Sequence, residues 1–187
     1  MTDTRDGRAV CRVRRREDSD LGACVRALAA VHERDGYPVD WPARPDVWLS
    51  PPSSLTAWVA ELDGRSVGHI GLCRAGAGDV APGLWSDREG VGRGTTAVIS
   101  RLFVAPDGRG RGIGASLMAE AVREARCRGL HPVLDVVATD TAAAALYERL
   151  GWELLGTAEQ RWGPGRTVTL RCYAAAFAGP GDPTESG

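Results

Sequence analysis

Lysine is absent from this chain. All 23 basic side chains are arginine, which excludes a lysine Schiff base and the phosphate-gripping lysine of a Walker-type loop. Cysteine offers little chemistry. The five residues Cys11, Cys24, Cys73, Cys127 and Cys172 are odd in number, scattered, and form no C-x-x-C pair. That pattern speaks against disulfides, a thiolate metal site or a nucleophile, and for small buried hydrophobes in a reducing compartment. Charge of one sign is also lacking: a formal net charge of -1 gives no general attraction to nucleic acid or to an anionic membrane. No stretch approaches the roughly 20 apolar residues of a membrane span. The opening "MTDTRDGR" has no apolar signal core. These absences lead us to expect a cytoplasmic enzyme or binding domain with no metal, no nucleic-acid partner and no membrane.

What is present is an ordinary globular composition, 43% apolar and 25% charged over 187 residues, enough for one domain with a sizeable core. The expected organisation is a flexible start at residues 1–8, a single domain over 9–177 and a disordered tail at 178–187. Residues 9–15, "AVCRVRR", alternate as a strand with its arginines on a solvated face. Asp18, Ser19 or Asp20 can cap a helix whose apolar positions are Leu21, Cys24, Val25, Leu28 and Val31. Residues 36–54 hold five prolines and two tryptophans and read as irregular or short-helical. "LTAWVAEL", "DG" and "RSVGHIGLCR" form a strand, turn and strand. Residues 75–96 are glycine-rich and read as a mobile loop. "TAVISRLFVA" is a buried strand, followed by a glycine cluster and a helix with Ile113, Leu117, Met118, Val122 and Ala125 on one face. "HPVLDVVA" is a strand, "TAAAALYERL" a short helix stopped by Gly151, and "WELLGTAEQRW", "GPG" and "RTVTLRCYA" a closing hairpin. The order predicts an α/β fold of the α+β type: a mixed, mostly antiparallel sheet of about seven strands flanked by helices, with a strand, glycine loop and helix at its centre.

That glycine cluster, "VAPDGRGRGIGAS", marks the chemistry. Glycines that open a helix let backbone N–H groups approach an anion. A Walker loop fails here, with Ala115 where lysine belongs and Arg109 where the first glycine belongs. A dinucleotide fingerprint is a real competitor, since Gly110, Gly112 and Ala115 satisfy G-x-G-x-x-G/A and Asp135 lies about 20 residues beyond. Against it, "PDGR" separates strand from glycines where that turn should be tight. Asp135 also falls inside an apolar strand instead of at its end, and too little chain follows to complete a doubly wound sheet.

From Ile99 to Gly156 the sequence resembles the GNAT superfamily of acyl-CoA N-acyltransferases. The signature R/Q-x-x-G-x-G/A stands here as Arg109, Gly110, Arg111, Gly112, Ile113 and Gly114. Its second segment, N-x-x-A-x-x-L-Y-E-K-L-G-F, is similar to "DTAAAALYERLGW" at a family-like separation. The resemblance implies an N-acetyltransferase that uses acetyl-CoA and passes the acetyl group directly to a primary amine of a small molecule or peptide; a homodimer is compatible with it. It implies a pyrophosphate cradle from residues 110 to 115, assisted by Arg109 or Arg111. It further implies pantetheine pairing along Leu102, Phe103 and Val104, the N–H of Val104 as oxyanion donor, and Tyr147 as partner of the leaving sulfur. Asp140 replaces the family asparagine, keeping a helix cap but losing a donor to the cofactor. Val98 stands where many relatives carry an acid, so candidate bases lie elsewhere: His32, Glu33, Asp35, His69, Asp87 or Glu89. Trp41, Trp48 and Trp162 are candidates for an aromatic wall around the amine. The alternative from another class is an acyl-CoA-binding module with little turnover, which would keep the glycine loop without needing Tyr147.

Overall fold

A computed structural model describes residues 11–162 and 165–177; the expectations for residues 1–8 and 178–187 lie outside the described residues. Seven strands, β1 (Cys11–Arg15), β2 (Ser54–Leu62), β3 (Arg65–Arg74), β4 (Thr96–Val104), β5 (His131–Val137), β6 (Glu153–Arg161) and β7 (Thr167–Ala174), run in the order β1-β2-β3-β4-β5-β7-β6. The chain clusters into two compact units, the first built from residues up to 74 together with 99–128, the second from 75–98 and 129 onward.

In the first unit, β1 (Cys11–Arg15), β2 (Ser54–Leu62) and β3 (Arg65–Arg74) form an antiparallel meander. β3 is buried almost end to end, so its near-continuous apolar run is what a strand covered on both faces requires. Helix α1 (Leu21–Asp35) buries Cys24, Ala27, Leu28 and Val31. Helix α4 (Ile113–Cys127) buries Ile113, Leu117, Met118 and Ala125 of the expected stripe together with Ala121, while Val122 at its edge is only half-buried. Gly68 makes the α4 contact possible: a Cβ there would stand 3.1 Å from Leu117 Cδ1 and 3.3 Å from Ile113 Cγ2. A short helix α2 (Pro45–Leu49) interrupts the proline-rich segment.

The arginines of β1 are a solvated face only in part: Arg12 and Arg15 are exposed, whereas Arg14 is drawn in from solvent. Arg14 donates to Asp20 at 2.7 Å and to Glu61 at 2.5 Å. Arg15 pairs at 2.6 Å with Glu124, a buried carboxylate on α4 that Arg128 also holds at 2.9 Å. Burial opposes ionisation of Glu124, but these two partners outweigh it and keep its carboxyl below the usual value. Buried Cys24 and Cys73 match the expected small hydrophobes, whereas Cys11 and Cys127 are exposed.

The second unit holds the first residues of β4 (Thr96–Val104), paired in parallel with β5 (His131–Val137) over Thr96–Val98. It continues with β7 (Thr167–Ala174) and β6 (Glu153–Arg161), both antiparallel. The expected mobile loop at 75–96 is instead ordered around helix α3 (Ala81–Glu89), which buries Ala81, Pro82 and Trp85. Pro82 and Gly83 mask a helical pattern in the sequence, and the stabilisation is tertiary. Trp85 stacks on His131 with centroids 3.7 Å apart, and the Asp135 carboxylate accepts from the N–H groups of Val80 and Ala81 at 2.7 and 2.8 Å. Asp135 is thus a helix cap, and the dinucleotide reading loses its acidic residue.

One side chain fixes the backbone of β4. His69 on β3 is fully buried, with its ring stacked on Phe103 at 5.5 Å. Its Nε2 lies 3.0 Å from Arg16 Nη1, which can only donate, so Nε2 accepts and the proton sits on Nδ1. Nδ1–H then donates to the carbonyl of Arg101 at 3.0 Å. Arg101 has φ +54°, a left-handed conformation in the middle of a strand, as at a bulge.

Two outcomes follow from these contacts. Burial pushes the His69 pKa down to about 3, with the charges of Arg16 and Arg101 acting the same way. A histidine depressed on folding takes its proton in the unfolded state first, so stability falls as pH drops below about 6.5 and levels off near the folded value. The urea midpoint of the protein should decline from pH 6.5 to 5, the histidine's contribution steepening toward a limit of about 1.4 kcal/mol per pH unit at the lower end. His69→Gln should lack this component, and equal slopes for the two proteins would reject the neutral buried ring. Asp135→Ala should cost about 1–3 kcal/mol in urea unfolding, because two buried N–H groups lose their acceptor, while Asp135→Asn should retain part of it.

Candidate active site

β4 carries the first part of the site. Phe103 is buried while Leu102 and Val104 are half-buried, the alternation of a strand. Past Val104 the chain is pinned by the N–H of Ala105 donating to the Val67 carbonyl at 2.7 Å, then by a tight turn over Pro106–Gly108. Gly108 packs closely here, since a Cβ would stand 3.1 Å from Val104 Cγ1 and 3.2 Å from Val67 Cβ and would push those neighbours back by a few tenths of an ångström. This packing sets where the loop leaves the strand.

The loop then turns into α4. Gly112 is the residue before the helix and has φ +73°, a conformation that side-chain-bearing residues rarely adopt; Gly110 repeats it. The Gly112 carbonyl accepts from the N–H of Ser116 at 3.0 Å, closing the first turn. The N–H groups of Ile113, Gly114 and Ala115 have no intrahelical acceptor, and they lie at the positive end of a 15-residue helix. Ile113 buries its side chain and anchors that end. Space beside Gly110 and Gly112 is open, with no atom within 4 Å of an added Cβ. The arrangement is a backbone cradle of a kind that accepts phosphate oxygens, so residues 110 to 115 fit the expected ligand.

The two arginines of the signature differ. Arg109 turns back: its Nε donates to the Val104 carbonyl at 3.1 Å and its guanidinium pairs with Asp35 at the end of α1. That pair holds the Asp35 carboxyl below its usual range, making it a poorer base. Arg111 is exposed and has no ion pair among the described residues.

Several other candidate bases are also engaged. The ring of His69 is buried with both nitrogens occupied and takes no proton at neutral pH. His32 places Nδ1 2.9 Å from the Pro38 carbonyl and its ring 5.1 Å from Trp41. Glu89 pairs with Arg88, which also meets Glu153. The side chain of Val98 is buried among Ala81, Trp85, Val133 and Leu170.

In the second unit, Asp140 caps α5 (Thr141–Arg149) by accepting from the N–H of Ala143 at 3.0 Å. Tyr147 sits on that helix, buried, with its ring 6.1 Å from Trp152 and 5.8 Å from Tyr173. Trp41 and Trp48 belong to the first unit and Trp162 to the second, where its Nε1 donates to Gln160 at 2.8 Å. Residues missed in the sequence are Arg16 and Arg101, the partners of His69. The usual signal of a bulge, glycine or asparagine at the left-handed position, is missing because arginine occupies it. Among the described residues no group of His, Cys, Asp or Glu is placed to hold a metal ion, and no helix is long and apolar enough to cross a membrane.

Comparison with known proteins places this geometry. The L-methionine sulfoximine/L-methionine sulfone acetyltransferase of Pseudomonas paraeruginosa is 33% identical over 121 residues, covering 61% of this chain and 69% of the relative. A ribosomal-protein-alanine N-acetyltransferase from Brucella melitensis superposes with a TM-score of 0.64 at 26% identity, covering 87% of this chain and 98% of that structure. Arabidopsis thaliana NAA60 in complex with acetyl-CoA shares the fold, with a TM-score of 0.65 at 22% identity over 88% of this chain and 98% of that one. The family model for the Acetyltransferase (GNAT) family matches residues 24–152, a span that takes in the glycine cradle, Asp140 and Tyr147. The chain therefore belongs to the GNAT family of acetyltransferases.

Proposed function

We propose that residues 9–177 act as one acetyltransferase domain that moves the acetyl group of acetyl-CoA directly onto a primary amine of a small molecule or peptide in the cytoplasm. The observation that carries this reading is the pair of left-handed glycines, Gly110 and Gly112, opening α4 with its first-turn N–H groups beside open space. Acetyl-CoA supplies the activated thioester. The chain supplies the cradle for its pyrophosphate, with Arg111 as the assisting cation now that Arg109 is committed to Asp35.

Leu102, Phe103 and Val104 offer a strand backbone to the pantetheine arm, as an added strand would pair. The N–H of Val104 would hold the charge that develops on the carbonyl oxygen. Its place is set by three contacts: Arg109 on its own carbonyl, the Ala105 N–H on Val67, and the closeness of Gly108. Tyr147 would assist the leaving sulfur. A phenol near pKa 10 giving its proton to a thiolate whose acid has pKa near 8.5 runs uphill by about 2 kcal/mol, so a hydrogen bond to sulfur suits it better than full proton transfer. Asp140 keeps its capping role without donating to the cofactor.

The amine must reach the site uncharged. Losing a proton at pH 7 costs about 4 kcal/mol for a lysine-like amine and about 1 for an α-amine. With Val98 apolar, His69 shut in and Asp35 paired, water or a weak base suffices only for the second kind.

Two measurements test these roles. Tyr147→Phe keeps the ring packing and should lower kcat for thiol release about 10- to 100-fold while leaving acetyl-CoA affinity in calorimetry unchanged; an unaltered kcat removes the role and favours a binding module with little turnover. Arg111→Ala should weaken acetyl-CoA binding about 10-fold at low salt and less at high salt, because an exposed cation is screened. NADH binding more tightly than acetyl-CoA would overturn the cofactor itself.

A further inference from the structure

Among the described residues of the first unit, three arginines are drawn in from solvent: Arg14, Arg16 and Arg101. Arg14 meets two carboxylates, Asp20 and Glu61. The other two meet only neutral atoms. Arg16 donates to the Leu49 carbonyl at 2.7 Å, to Ser50 Oγ at 2.6 Å and to His69 Nε2 at 3.0 Å. The charges of Asp18 and Asp20 both reach Arg16, but neither carboxylate forms an ion pair with it among the described residues, and Asp20 is held by Arg14 through two hydrogen bonds. Arg101 places Nη1 2.9 Å from Ser100 Oγ and 3.9 Å from Cys73 Sγ, a weak acceptor. Its Nε is shut away from solvent with no acceptor. One face of the guanidinium is covered by the ring of Trp48, 5.0 Å from Cζ to centroid.

Two half-buried cations, joined through one neutral imidazole, therefore stand without a carboxylate in ion-pair contact among the described residues, Arg16 sensing Asp18 and Asp20 only at longer range. Buried charge is normally paired, because desolvation without compensation costs several kcal/mol per ion. A guanidinium cannot shed its proton to escape that cost. The position is costly in a second way, since arginine at φ +54° forgoes the glycine that a left-handed bulge favours. Trp48 and Ser100 hold the fork in place, and Arg101 directly precedes the Leu102–Val104 stretch assigned above to the acyl donor.

From this we infer that Arg101, supported by the charge of Arg16, is the specificity-determining residue for the acceptor, binding the carboxylate of an amine that carries one, as a free amino acid does. The inference rests on the acetyltransferase reading and adds the chemical class of the acceptor. A carboxylate would reach the guanidinium edge left open by Ser100 and Trp48, forming charge-assisted hydrogen bonds. The same acceptor presents an α-amine, the kind least in need of a base.

The test compares each free amino acid with its carboxamide as acceptor in the acetyl-CoA thiol-release assay. The carboxamide keeps the amine and loses only the negative charge. The expected result is a kcat/KM about 30-fold higher for the acids, and an Arg101→Gln variant in which that preference collapses through a raised KM for acids alone. Arg101→Lys should recover part of it. Equal use of acids and amides by the unaltered protein overturns the inference, as does a loss in Arg101→Gln that falls on both acceptors alike. If Arg101→Gln does not fold, the acid-to-amide ratios of the unaltered protein and of Arg101→Lys decide. Turnover of polyamines, amides or peptides without turnover of acids rejects this inference and leaves the acetyltransferase reading standing; no thiol release with any amine rejects both.

Discussion

The carbonyl of Arg101 accepts a hydrogen bond from His69 Nδ1, and that contact requires the other ring nitrogen to be an acceptor for Arg16. A single neutral imidazole thus ties together the end of β1, the α2 segment through Leu49 and Ser50, β3, and the irregular point of β4. The stacking of Phe103 on the same ring settles which way the following strand residues face. A protonated ring could not serve, since it would present a donor to a cation. The backbone that carries the proposed chemistry therefore depends on keeping one titratable group permanently out of titration.

Downstream of that point the loop is held by side chains that do not themselves face the proposed ligand. Arg109, the first residue of the signature, spends its guanidinium on Asp35 and its Nε on the Val104 carbonyl. It links the C-terminal end of α1, the last residue of β4 and the glycine turn in one network. Gly108 lets the turn lie against Val67 and Val104 without a gap. The signature arginine braces the proposed cradle instead of lining it, and Arg111 is the arginine of that loop with no ion pair among the described residues.

Much of this was legible beforehand. The hairpins at Asp63–Gly64 and near the C-terminal end, the α4 stripe and the two spaced motifs follow directly from local pattern, because turn chemistry and helical periodicity are short-range properties. What escaped depends on partners far apart in the chain. Helix α3 exists because Trp85 finds His131 and because Asp135 caps it from 54 residues away. The ion pairs of Arg14 and Arg15 were hidden in what reads as a solvated face because their acceptors, Glu61 and Glu124, lie on other elements. His69 suggested a base because its residue type is that of a base; only its burial and its two partners show that it is structural. The bulge at Arg101 carries no local signal at all.

The exclusive use of guanidinium has a further meaning in a chain of this family. Four cations that brace the scaffold, Arg14, Arg15, Arg109 and Arg128, are fixed to carboxylates, a fifth, Arg16, is fixed to a carbonyl, a hydroxyl and an imidazole, and none of them is an amine. An ε-ammonium in the same places would be a nucleophile in waiting whenever its proton was lost. Guanidinium stays protonated across the working pH range and does not compete for an acyl group. With no lysine among the 187 residues, no side chain of this protein is an alkylamine, the chemical class of the proposed acceptor, so no side-chain amine of the scaffold competes for the acyl group.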